Sequence, residues 1–269
     1  MSIDVSVVMP TFRRPELLAE AVDSVLAQTG LSLEVIVLDD SPEGSAAEVI
    51  AQINDPRIRY VLRTVPSRGK PAIVRNEGAR IARGRFVHFL DDDDRVPLGV
   101  YSAALDAFAE NPNCGVLFGR VESFGEDAEA VRREQAYFDR GARKARVVSS
   151  LGSRFFMVAI LMFDATPLVS SSCMIRRECI EALAGYDPEI PVCEDVDFYL
   201  RAIRQFGYTY LDRVMVHYRF QSNSLMHRQK DSEAAMESYR IIQGNYRSSH
   251  GLVESLALKA LARTALGLL

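Results

Sequence analysis

The first 97 residues alternate short β-rich runs with amphipathic helical segments, and that order leaves the chain few ways to fold. Val5–Met9 is an apolar, β-branched run stopped by Pro10, after which Leu17, Leu18, Ala21, Val22, Val25 and Leu26 recur at the spacing of one helix face. Leu33–Leu38 reads as a second strand running into Asp39-Asp40, and Ser45 with Glu48 three residues on has the form of a capping box for the next helix. Ile58–Leu62 is a third strand. Pro71 stands where a first helical turn tolerates proline, and that helix is expected to run to Gly84. Phe86–Leu90 is a fourth strand, ending in Asp91, Asp92, Asp93 and Asp94. Such a βαβαβαβ order implies an α/β fold, a doubly wound, mostly parallel, Rossmann-like sheet covered by helices. Ligands of these sheets gather beyond the carboxyl ends of the strands, where both acidic clusters lie.

The remainder is less regular. Leu98, Tyr101, Leu105 and Phe108 make a helical stripe, Val116–Val121 a strand, and the charged stretch 122–146 a loop or exposed helix. Val169–Ile175 reads as a strand. Val196, Tyr199, Leu200 and Ile203 mark a helix ending near Gly207, followed by two short strands, Tyr208–Leu211 and Val214–Tyr218, and a tail from Lys230 to Leu269 of two helices. A chain of 269 residues with 48% hydrophobic and 25% charged side chains suits one large globular domain with an appendage. The net charge of -4 offers no basic excess for nucleic acid. Four cysteines without paired spacing are expected to be thiols in a reducing compartment. The N-terminus shows no basic leader or cleavage site, and the longest apolar stretch, Phe155–Phe163, is too short to cross a bilayer. The expected setting is cytoplasmic, with the inner membrane face left open.

Packing four carboxylates together is repulsive unless a cation or solvent relieves it. Hard oxygen ligands suit Mg²⁺ or Mn²⁺, which can bridge nucleotide phosphates; a solvated turn capping the helix near Leu98 is the plainer alternative. Asp39-Asp40 can accept hydrogen bonds from a nucleobase or ribose, or cap a turn. Glu194-Asp195 and Asp197 open a helix, where acids are favoured by the dipole but where one can also deprotonate an acceptor hydroxyl.

Together the strings SVVMPTFRRPELLAEAVDSVLAQT, LEVIVLDDSPEG, VRNEGARIARGRFVHFLDDDD, SSSCMIRRECIEALAGYDPEI and CEDVDFYLRAIRQFG resemble the inverting, family 2 glycosyltransferases of the GT-A fold. The resemblance runs over roughly residues 3 to 225 and follows the family's order. It implies a GT-A domain over 1–225, with 1–97 the nucleotide-sugar half and 98–225 the acceptor half, and a helical extension over 226–269. By the same resemblance Pro10, Thr11 and Phe12 line the base and ribose pocket, and Asp40 reads the base with Asp39 beside it. Arg75 approaches base or phosphates, helped by Arg68 or Lys70. Asp91, Asp92 and Asp93 cover the D-x-D region, with Asp93 the metal ligand for Mn²⁺ or Mg²⁺ and Asp91 and Asp92 donor neighbours. Asp195 is the base and Glu194 lies on the acceptor side. The donor is a nucleotide sugar, UDP-linked by preference. The acceptor stays open among polysaccharide, lipid-linked intermediate, protein and small molecule.

Other features admit two readings. His217, at the end of a strand, completes the metal site or fills space, and Arg219, Ser222 and Ser224 close over the diphosphate. His88 alternates inside an apolar strand and reads as a satisfied core histidine. Ser41-Pro42 replaces the family's glycine, so that turn is expected to differ. The apolar segment 150–167 flanks a greasy acceptor or packs in the core. The last helix docks on the domain or a second copy, or lies in a membrane interface. Two rivals remain: a nucleotide-sugar-binding protein without turnover, and a sugar nucleotidyltransferase, which the absence of an early glycine-rich loop disfavours along with a dinucleotide oxidoreductase.

Overall fold

The computed structural model describes residues 2–164, 166–220 and 233–264. The first half is β1 (Val5–Thr11), α1 (Pro15–Leu26), β2 (Leu33–Asp39), α2 (Ala47–Ile53), β3 (Ile58–Leu62), α3 (Pro71–Ile81) and β4 (Phe86–Phe89). It continues with α4 (Val100–Glu110), β5 (Val116–Phe124), α5 (Ala128–Ser150), α6 (Arg154–Phe163), a 3₁₀ turn (Ser170–Ser172), β6 (Cys173–Arg176), α7 (Arg177–Ala182), α8 (Glu194–Phe206) and β7 (Tyr208–Arg219). Two further helices, α9 (Glu233–His250) and α10 (Leu252–Thr264), follow.

The seven strands form one sheet in the order β3-β2-β1-β4-β6-β5-β7. Four of the six pairs are parallel, and β6 runs antiparallel to both its neighbours. The chain steps outward from β1 to β3 and then returns to place β4 on the other side of β1. That reversal opens a crevice at the carboxyl ends of β1 and β4.

Several boundaries differ from the sequence expectation, each for a local reason. Proline does not stop β1, which runs two residues past the expected Met9. Val8 C=O faces β4 by accepting from Leu90 N–H, so the nitrogen of Pro10, two residues on, faces the same side beyond the end of β4. There it forfeits no ladder bond. The helix α3 ends at Ile81 rather than Gly84, because Arg83 N–H donates to Glu34 Oε1 at 2.7 Å and Gly84 N–H to Ser6 Oγ at 2.8 Å, which turns the chain into β4. Ser45 does not cap α2; Ala46 N–H donates to Asp39 Oδ2 at 2.8 Å instead. Leu98 is exposed, and α4 buries Val100, Tyr101, Ala104, Ala107 and Phe108.

Over Val169–Ser172 the expected strand gives way to the 3₁₀ turn, since Ser172 Oγ donates to Val169 C=O at 2.9 Å and accepts its N–H at 3.1 Å. The two short strands after Gly207 are one strand, β7, whose register against β5 jumps from Leu211 to Val214 at a bulge. The stretch 122–146 joins β5 to α5, which Asp127 caps by accepting from Glu129 and Ala130 N–H.

Residues Met157–Met162 are all buried, so α6 is apolar all round and belongs to the core. That answers the question left by the segment 150–167. It packs against α8 and α10, and α10 docks there through Leu258 and Ala262. No helix among the described residues is long and apolar enough to cross a membrane. The four cysteines are free.

Close packing under the crevice depends on Gly78 of α3. A Cβ there would lie 2.3 Å from Val8 Cγ1 and 2.9 Å from Leu38 Cδ1. The variant Gly78→Ala is therefore expected to lose about 1–3 kcal/mol in urea unfolding, despite alanine's better helix propensity. Unchanged stability would show that α3 can move away from the sheet freely.

Candidate active site

Three neighbouring parallel strands end at one edge and deliver most of the polar groups. Thr11 closes β1 and donates from Oγ1 to Asp92 Oδ2 at 2.7 Å, while its carbonyl accepts Asp40 N–H at 3.0 Å. Phe12 follows, half exposed, with the Arg13 guanidinium 5.1 Å from its ring centroid. Glu43 holds Arg13 through two bonds of 2.6 and 3.1 Å. The result is a flat aromatic face at the lip of the crevice.

Asp39 and Asp40 diverge, because successive residues at a strand end point to opposite sides. Asp39 turns inward and is fully buried, accepting from Ser41 N–H and Oγ, Ala46 N–H and Tyr60 Oη. It therefore shapes the Ser41-Pro42 turn and has no face left for a ligand. Asp40 turns the other way and is bonded to Arg63, accepting Ser67 N–H at 2.9 Å and Ser67 Oγ at 2.5 Å. These bonds fix the loop that carries Arg68 and Lys70, both exposed; Lys70 reaches Glu189 at 3.6 Å.

The acidic turn after β4 is organised by arginines. Arg14 Nη1 lies 3.2 Å from Asp92 Oδ1 and 2.9 Å from Asp93 Oδ2. Arg219, at the end of β7, donates its N–H to Asp94 Oδ1 and its Nε to the Asp93 carbonyl, both at 2.9 Å. Burial and the adjacent Asp93 push Asp92 up to about 7, and burial with Asp91 pushes Asp93 up to about 6. Asp94 is also raised, by burial and Asp93, and its Oδ2 is buried without a hydrogen bond. Burial thus raises Asp92 and Asp93 in spite of the lowering effect of Arg14.

His217 does not join it. β5 and β7 pair in register with Glu122 opposite His217, and the ring Nδ1 lies 3.1 Å from Glu122 Oε2. Among the described residues no three His, Cys, Asp or Glu side chains stand close enough to hold a metal by themselves. His88 behaves as expected of a core histidine: its Nδ1 meets Tyr101 Oη at 2.8 Å and Nε2 meets the Ser171 carbonyl at 2.9 Å. Burial lowers it to about 4, so the ring is neutral. Ser222 and Ser224 lie outside the described residues.

Arg75 links the two sides of the crevice. It is buried in α3 rather than open to a phosphate, with Nη2 2.8 Å from Asp91 Oδ1 and Nη1 2.5 Å from Glu194 Oε1. Its guanidinium carbon lies 5.6 Å from the Tyr186 ring centroid. Glu194 is consequently an anchor for the start of α8, not a surface for an acceptor. The next residue, Asp195, accepts Val196 N–H at 2.9 Å, and no side chain among the described residues donates to it. Burial, then the Glu194 charge, pushes Asp195 up to about 6, against the lowering effect of Arg75. A carboxylate with free lone pairs and this proton affinity is suited to general-base work near neutral pH.

Sequence reasoning had passed over Arg14 and Ser171, whose Oγ accepts Asp91 N–H at 3.1 Å. The signal for Arg14 was a cation in the PTFRRP turn, directly after the first strand.

The solved Staphylococcus aureus TarS 1-349 in complex with UDP-GlcNAc superposes with a TM-score of 0.67 at 20% identity, over 91% of this chain and 67% of that one. The mannosyltransferase PcManGT of Pyrobaculum calidifontis, solved with GDP-Man and Mn²⁺, gives 0.58 at 18% identity over 99% and 81%. These likenesses establish a shared GT-A fold. In sequence, the succinoglycan biosynthesis protein ExoO of Rhizobium meliloti (strain 1021) is 38% identical over 93 residues, 35% of this chain and 26% of that protein. Escherichia coli (strain K12) WcaA, named for colanic acid biosynthesis, is 34% identical over 205 residues, 76% of this chain and 67% of its own. The chain thus spans about a quarter of one relative's length and two thirds of the other's. The model of the family described as glycosyl transferase family 2 matches residues 6–183, more than half of the sequence, and the chain belongs to that family.

Proposed function

We propose that the chain transfers a sugar from a nucleotide-sugar donor to an acceptor hydroxyl, with inversion and with Asp195 as the base. The observation that carries this is Arg75, whose bonds to Asp91 and Glu194 hold the donor-side acids and the start of α8 against one crevice. Residues 1–97 supply the donor half. Pro10, Thr11 and Phe12 line the base and ribose pocket, with the Phe12 ring as a stacking face. Asp40 forms its floor and fixes the loop from which Arg68 reaches the phosphates. Asp92 orders Thr11 and the ribose end. The acceptor half, 98–225, supplies Asp195. The acceptor oxygen approaches the anomeric carbon from the face opposite the departing diphosphate, and Asp195 takes its proton as the new bond forms.

The donor set suits a divalent ion. Asp91 and Asp93 are hard oxygen ligands in a turn where burial raises the Asp93 carboxyl, and Mg²⁺ or Mn²⁺ is commonly bound by one or two carboxylates completed by substrate phosphates. Asp93 would hold it, with Asp91 adjacent, and the ion would offset the negative charge growing on the leaving diphosphate. The neighbour solved with Mn²⁺ supports this choice, and the one solved with UDP-GlcNAc supports a UDP-linked donor. The names of ExoO and WcaA favour a growing polysaccharide as acceptor. Melting the protein with UDP, dTDP or GDP, each with Mn²⁺ or with chelator, tests the donor site. One diphosphate is expected to raise the melting temperature by several degrees only with Mn²⁺. Equal shifts in chelator would reject the cation's role.

The second face of α10 supports peripheral contact with a membrane. Leu252, Val253 and Leu256 are exposed, Lys259 and Arg263 are solvent-facing cations, and the acid of its first turn, Glu254, is drawn inward to Arg204 at 3.0 Å. Two copies meeting by this cationic face would repel, whereas an anionic lipid surface complements it. In flotation, binding to phosphatidylglycerol vesicles over phosphatidylcholine is expected, and Val253→Glu with Leu256→Glu should abolish it. A dimer in light scattering that the same changes dissociate would favour a second copy instead.

A further inference from the structure

We propose that Arg14 is a transferable counter-ion: it neutralises Asp92 and Asp93 in the resting protein and passes to the diphosphate when nucleotide arrives. Divalent-ion binding then waits on the nucleotide. The inference rests on the donor-site reading above and adds a residue and an order of events to it.

The geometry separates a fixed side from a movable one. Asp92 is tied to Thr11 at 2.7 Å, and the Asp93 backbone is tied to Arg219 at 2.9 Å. Their side chains are 8% and 14% exposed, whereas that of Arg14 is 36% exposed. Arg14 immediately precedes Pro15, the first residue of α1, and its side chain makes no capping bond to that helix. Its backbone is therefore held while a long, flexible stem carries the charge. A single nitrogen, Nη1, makes both carboxylate contacts, so the planar fork is used poorly.

A guanidinium and a divalent ion cannot both occupy the space beside Asp93 without strong repulsion at a few ångströms. Arg14 accordingly acts as a competitor of the ion in the empty site. A diphosphate changes the balance, because its oxygens offer the bidentate, charge-assisted contacts that a guanidinium prefers. As Arg14 moves onto phosphate, Asp93 is released to the cation, which the phosphates also ligate. By linkage, nucleotide and cation each tighten the other's binding through the same side chain.

The test measures Mn²⁺ binding, by the paramagnetic resonance of the free ion, for the full chain and for Arg14→Gln and Arg14→Lys. Without nucleotide, Arg14→Gln is expected to bind Mn²⁺ roughly tenfold or more tightly than the parent, and Arg14→Lys to stay within about threefold of it. With UDP present, the parent is expected to gain Mn²⁺ affinity strongly and Arg14→Gln to gain little. If Arg14→Gln leaves nucleotide-free affinity unchanged or weaker while UDP still promotes Mn²⁺ binding to the parent, the counter-ion role is overturned and the donor site stands. If the parent binds no Mn²⁺ with or without UDP, the donor-site reading falls and the inference with it. Melting curves of both variants identify any loss of fold, and the lysine variant then carries the comparison alone: a gain of more than about tenfold in its nucleotide-free affinity would reject the proposal.

Discussion

Replacing Asp195 with asparagine is expected to lower turnover by about 10²–10⁴-fold while leaving donor binding nearly unchanged. Asparagine preserves the shape and the oxygen that accepts Val196 N–H, so what it removes is the proton acceptor. The pH dependence separates this from a packing effect. The base works when ionised, and burial with the Glu194 charge pushes its carboxyl up to about 6. The kcat/KM of the parent is therefore expected to rise with pH through about 6 and level off above it.

Stability should move the other way. A carboxyl whose folded pKa lies above its unfolded value stabilises the fold below the unfolded pKa and loses that contribution as pH rises through the folded one. At pH 8 the ionised, half-buried Asp195 is thus a burden, and the asparagine variant is expected to melt at or above the parent temperature. An inactive variant that is no less stable would identify a chemical loss. Parent-like turnover in the asparagine variant would remove Asp195 from the reaction.

Arg75→Met is expected to destabilise the chain by about 3–5 kcal/mol, chiefly the cost of leaving the buried Glu194 charge without a partner. Arg75 is buried, and its removal would set Asp91 and Glu194 near each other with no cation between them. Urea unfolding measures that loss. Arg75 also lowers the proton affinity of Asp195, so the acid limb of kcat/KM should shift to higher pH in Arg75→Lys, whose single ammonium cannot make both bonds well. Glu194→Gln removes a charge that raises Asp195, and its limb should shift to lower pH. Opposite shifts in the two variants are the signature of an electrostatic bridge. Parent-like stability in Arg75→Met, or shifts of the same sign, would reduce Arg75 to a filler of space.

Much of the first half was legible because its signals are local. Strands β1 to β4 are apolar runs bounded by turn residues, and the helices between them declare one buried face each. The acids at the strand ends followed from that order alone. Legibility failed where partners come from far along the chain. The merger of two short strands into β7 depends on pairing with β5, and the same pairing draws His217 toward Glu122. The burial of α6 depends on α8 and α10 covering its remaining faces.

The sequence by itself determined the α/β class, a crevice beyond the carboxyl ends of the strands, and the three stretches that carry acids toward it. Tertiary structure decided which of those carboxylates are available. Asp39 turns inward to hold the turn before α2, Asp40 is bonded to Ser67, and Arg75 is committed to a glutamate 119 residues away. The physical reason is the difference in range. Strand and helix preferences act over a few residues, whereas the state of a charge depends on which distant groups come within a few ångströms and on how much water the packing has excluded.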